Sequence, residues 1–126
     1  MERPRSLREQ RYETAQRVVD DLLRSLPEDV RRHAEAVGLE LDDAPSRALR
    51  REGLPRDLLG LFRGYPLRGP AGQGLEDTTI SLFLDNIWRE ACGHWGRFCE
   101  EVRKTYLHEL GHYLGLDEDE LEARRL

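Results

Sequence analysis

The 126-residue chain has the length of one domain, with 20 Lys+Arg against 25 Asp+Glu for a formal charge of −5. That balance argues against the basic face of a nucleic-acid binder. Charged residues make up 36% and mean hydropathy is −0.72, and no segment approaches the ~20 apolar residues of a transmembrane helix.

The opening MERPRSLREQRYET lacks the apolar core of a secretory signal, so the expected location is the cytoplasm. Ser6-Leu7-Arg8-Glu9 reads as a capping box, with Glu9 reaching back to the Ser6 amide. Tyr12, Ala15, Val19, Leu22, Leu23 and Leu26 then form a helical stripe, which predicts a first helix over 7–26. Pro27 stops it and suits the first turn of a short second helix over 27–34. Val37, Leu39 and Leu41 alternate with small or acidic residues, as in a half-buried strand. A short helix over 45–52, ended by Gly53, and a second strand over 59–65 follow.

Residues 69–74, GPAGQG, read as a loop. A third strand is predicted over 78–87, with Ile80, Leu82 and Leu84 on one face. A last helix is expected from Phe98 to Leu114, turning Leu107, Leu110 and Leu114 toward the sheet and ended by Gly115 in the left-handed conformation. Cys92 and Cys99 are expected to be free thiols. The fold class expected is α+β: a small mixed β-sheet, a long N-terminal helix and a C-terminal helix carrying the site, all in one domain over 1–126.

That last helix contains His108-Glu109-Leu110-Gly111-His112. Residues i and i+4 lie one turn apart on the same helical face, so both imidazoles can address one point outside the helix. Glu109 is rotated by about 100° from His108, which puts its carboxylate at the border of the same point. Two neutral imidazoles and an adjacent carboxylate are what a hydrolytic zinc site needs, and a catalytic zinc takes three protein ligands. Gly115 can reverse the chain, and Glu118 stands ten residues after His108. Glu118 is therefore the preferred third ligand, with Asp117 and Asp119 as competitors, since spacing alone does not fix the register after a glycine turn. His33 and His94 have no comparable company and read as ordinary histidines.

The chain resembles the short bacterial zincin-like metallopeptidases, or minimal zincins. LLGLFRGYPL at 58–67, TTISLFLD at 78–85 and VRKTYLHELGHYLGLDEDEL at 102–121 carry the likeness, the last being the most specific. The resemblance implies a metzincin-like core, Zn²⁺ at the paired histidines, and peptidase activity. Two departures are visible. Metzincins place a methionine turn beneath the metal, whereas the only methionine here is Met1; and eight residues follow Glu118, which predicts a small lower half to the cleft.

The expected chemistry is hydrolysis of a peptide or protein substrate by a zinc-activated water, with Glu109 as general base. In zincins the substrate lies as an added strand along a sheet edge, and 78–87 is the segment expected to receive it. A metal-binding structural or regulatory module without turnover is the alternative.

Overall fold

In the computed structural model, residues 3–67 and 78–126 are described. Helix α1 (Leu7–Ser25) starts at Ser6, whose Oγ accepts the Glu9 amide at 3.0 Å. The Glu9 carboxylate accepts the Ser6 hydroxyl at 3.1 Å rather than the Ser6 amide. Ala15, Val19 and Leu22 line the buried face of α1, following the stripe read from the sequence. Helix α2 (Glu28–Glu35) begins after Pro27 and buries Val30 and Ala34. Strand β1 (Gly38–Asp42), the short helix α3 (Arg47–Arg51) and strand β2 (Gly60–Arg63) lie within the predicted segments. The GPAGQG loop lies outside the described residues.

Strand β3 (Thr79–Phe83) corrects the reading of 78–87 in two ways. First, the strand ends at Phe83, and Leu84–Glu90 forms helix α4. Leu84, Ile87 and Ala91 are all fully buried at spacings of three and four, so the helical period overrides the alternation begun at Ile80. Second, β3 is the centre of the sheet. The order is β1-β3-β2, with β1 parallel and β2 antiparallel to β3. Both ladders of 79–83 are thus filled, and an added strand has no place there; Ile80 to Phe83 are accordingly buried on both faces. The sheet is mixed, as expected.

Helix α5 (Trp95–Leu114) begins three residues before the predicted start and packs on α1, β2 and β3. Leu107, Leu110 and Tyr113 join the core, and Leu114 packs at its margin. Asn86 on α4 donates to the carbonyls of Arg56 (2.8 Å) and Leu58 (2.9 Å), which pins the chain entering β2. On the other side of β2, the Leu67 amide donates to the Tyr113 carbonyl at 2.8 Å. Strand β2 is therefore tied at both ends to elements that carry or flank the paired histidines. Cys92 and Cys99 are free thiols. Among the described residues no helix is long and apolar enough to cross a membrane.

Candidate metal centre

His108 and His112 leave the same face of α5 in its last two turns, and both are exposed. Their Nε2 atoms lie 3.2 Å apart, with the rings nearly perpendicular at 86°. Zn–N bonds of about 2.0–2.1 Å at a tetrahedral angle put two ligand nitrogens about 3.3 Å apart. The convergence of two imidazole nitrogens on one outward point is thus the spacing of two ligands of a single cation. A ligand atom of Glu109 completes a group in which all three lie within 4.8 Å of one another. The donor set of neutral nitrogen and carboxylate oxygen suits zinc.

Glu109 differs from the histidines in burial, at 9% exposure. Its Oε1 accepts the Phe62 amide of β2 at 3.1 Å. That bond fixes the orientation of the carboxylate and gives a buried charge a donor, which a buried carboxylate requires. It also shows which way β2 faces. A strand residue directs its N–H and C=O to the same side, so the Phe62 carbonyl turns away from β3, and by alternation the Gly60 groups do too. Among the described residues β2 pairs with β3 alone, leaving this outer edge beside the paired histidines.

Gly60 is what lets α5 come so close. A Cβ there would meet Thr105 Cγ2 at 2.6 Å, the Ser81 carbonyl oxygen at 3.2 Å and Glu109 Cγ at 3.3 Å. Gly60→Ala is expected to cost about 1–3 kcal/mol in chemical denaturation, as overpacking of a filled contact does. Adding Thr105→Ser, which removes the methyl met first, is expected to recover part of that loss. Equal stability of Gly60→Ala and the unaltered protein would remove this close approach as a constraint.

Beyond Leu114 the chain does what the glycine suggested. Gly115 adopts φ 74°, and the Leu116 amide returns to the Gly111 carbonyl at 2.8 Å. Helix α6 (Glu118–Ala123), which the sequence reading did not include, then folds back on α5. Leu121 comes down over Gly111, where a Cβ would stand 3.0 Å from its Cδ1 and 2.9 Å from the Leu116 carbonyl oxygen. A capping box starts α6: Asp117 Oδ1 accepts the Glu120 amide at 2.8 Å, while Glu120 Oε1 accepts the Asp117 amide at 3.4 Å. The signal was present as Asp117-x-x-Glu120, the same grammar as Ser6-x-x-Glu9.

This return separates the three candidate acids. Asp117 is engaged as the N-cap, and Glu118 Oε1 lies 2.6 Å from His108 Nδ1. Asp119 makes no side-chain hydrogen bond or ion pair among the described residues. The Glu118 carboxylate sits on the Nδ1 edge of the His108 ring, not beside the two Nε2 atoms. His33 and His94 stand elsewhere: His33 on α2 and His94 as the N-cap of α5. Burial pushes the Tyr106 phenol up to about 12 and raises that of Tyr113 as well, so neither tyrosine ionises near neutral pH.

A cleft of about 450 Å³ opens beside His108, Glu109 and Glu118, with Pro55, Leu58 and Leu59 also in its lining. No curated protein matches the chain. The profile of the family described as zincin-like metallopeptidase matches residues 34–126, which takes in all three strands, α5 with its paired histidines, and α6. With more than half its length matched, the chain belongs to the zincin-like metallopeptidase family.

Proposed function

We propose that the protein is a zinc-dependent peptidase in which Glu109 is the general base. The observation that carries this reading is the convergence of the two Nε2 atoms at 3.2 Å beside a buried, oriented carboxylate. When bound, zinc supplies a Lewis acid that acidifies water and polarises a peptide carbonyl. His108 and His112 would hold it, their Nε2 atoms being the pair that converges. Glu118 is the third ligand in this reading: α6 brings its carboxylate onto the His108 ring, and a side chain 68% exposed is free to turn from the Nδ1 edge toward Nε2. Glu109 takes a proton from the attacking water and returns it to the leaving amine, one carboxylate serving as base and then as acid. The Phe62 amide keeps it aimed throughout binding.

The peptide lies along the outer edge of β2, bonding main chain to main chain with the groups that Gly60 and the Phe62 carbonyl turn outward. This moves the receiving edge from β3 to β2. A strand-edge mode gives binding with little dependence on sequence, so any selectivity has to come from the walls of the cleft.

Zinc titration of single variants tests the ligand set. Glu118→Ala is expected to weaken zinc binding by at least about tenfold to a hundredfold. Asp119→Ala is expected to leave it unchanged. Asp117→Ala is expected to show as about 1 kcal/mol of lost stability, the worth of an N-cap. Undiminished zinc affinity in Glu118→Ala would remove that residue from the set. Hydrolysis of quenched fluorogenic peptides by the zinc-loaded protein, and its loss on chelation, tests the activity.

A further inference from the structure

We infer that the cleft beside the paired histidines selects peptides with an arginine or lysine side chain next to the bond that is cut; this rests on the peptidase reading for where the peptide lies. Its lining includes the apolar Pro55, Leu58 and Leu59 together with His108 and Glu109. The same cleft is lined by the carboxylates of Asp57, Glu90 and Glu101 and by one ammonium, that of Lys104. These come from three separate parts of the fold: the segment pinned by Asn86, the end of α4, and the second and third turns of α5. Among the described residues none of these four side chains is in an ion pair. Among the described residues the cleft therefore offers three carboxylates outside any ion pair and one lysine that they outnumber.

A lining that joins apolar side chains to carboxylates fits one kind of side chain. Arginine and lysine lay three or four methylenes along apolar surface and keep the charged head at a polar rim. The distances agree. Glu101 and His108 are seven residues apart on α5, or about 10 Å along the axis. An extended basic side chain on the peptide residue flanking the bond reaches along that gap toward the Glu101 carboxylate, whose own side chain covers the remainder, whereas the shorter leucine leaves most of it uncovered. An acidic side chain in the same place meets three like charges.

The test separates binding from turnover. Peptides acetylated and amidated at their ends, so that charge resides only in one side chain, are offered to zinc-loaded Glu109→Gln protein with arginine, norleucine or glutamate at the flanking position. Arginine is expected to bind about tenfold more tightly than norleucine, the scale of a few partly exposed ion pairs, with glutamate weaker still. The arginine preference should shrink as salt rises. Asp57→Lys/Glu101→Lys is expected to reverse the order, and Glu35→Lys, on the exposed face of α2, is expected to keep it. Equal binding of the three peptides, no binding of any, or an order that survives the double reversal overturns the inference. Its failure is distinct from that of the peptidase reading: wild-type protein that cleaves all three peptides alike contradicts only the selectivity, and protein that binds arginine peptides without cutting any contradicts only the activity.

Discussion

Glu109→Gln is expected to lower kcat for peptide hydrolysis by about 10²–10⁴-fold while zinc stays bound, because general acid–base transfer is worth that much. Glutamine keeps the shape of the side chain and an amide oxygen that can still accept the Phe62 amide, so the close contact among Glu109, Gly60 and Thr105 is retained. What is lost is the ability to take a proton. Stability and zinc content should therefore match the unaltered protein, and KM should change far less than kcat. Steady-state kinetics beside metal analysis checks this. Unchanged kcat in Glu109→Gln would falsify the role of this carboxylate.

His112→Ala is expected to take zinc from about one per chain to near zero, with activity lost in parallel, because the metal then keeps one imidazole and one acid. The ring is exposed, so the substitution should shift unfolding of the metal-free protein by no more than about 0.5 kcal/mol. Elemental analysis and denaturation of the metal-free forms check both halves. An alanine variant that holds a full equivalent of zinc would place the metal elsewhere.

The sequence exposed some of this arrangement more readily than the rest, for physical reasons. Stripes with one period were legible. Ala15, Val19 and Leu22 of α1 are buried as read, and so are Leu107 and Leu110 of α5, because a helix with one buried face writes that face at every third or fourth residue. The paired histidines were equally legible, since i, i+4 on a helix fixes their neighbourhood without any long-range information. Gly115 signalled the reversal, and its φ of 74° is the conformation that glycine tolerates best.

Residues 84–87 were misread because Leu84 satisfies two periods at once: the alternation from Ile80 and the helical spacing to Ile87 and Ala91. Helix α6 was hidden behind the acids of 117–120, which can be read as metal ligands or as a cap, and of which Asp117 and Glu120 form the cap. Sheet order was not legible at all. Which strand lies in the middle depends on pairings between residues distant in the chain, such as Leu39 with Ile80 and Phe62 with the same Ile80. The partnership of Glu109 with the Phe62 amide, 47 residues away, is of the same kind. Only the glycine at 60 hinted that a backbone there is closely approached.

With zinc at the paired histidines, this chain is expected to hydrolyse peptide bonds. The most direct test is mass spectrometry of a mixed peptide library incubated with zinc-loaded protein, with chelated protein, and with chelated protein resupplied with zinc. Internal cleavage products are expected in the first, none in the second, and their return in the third. A fully zinc-loaded protein that leaves every peptide of the library intact would contradict it.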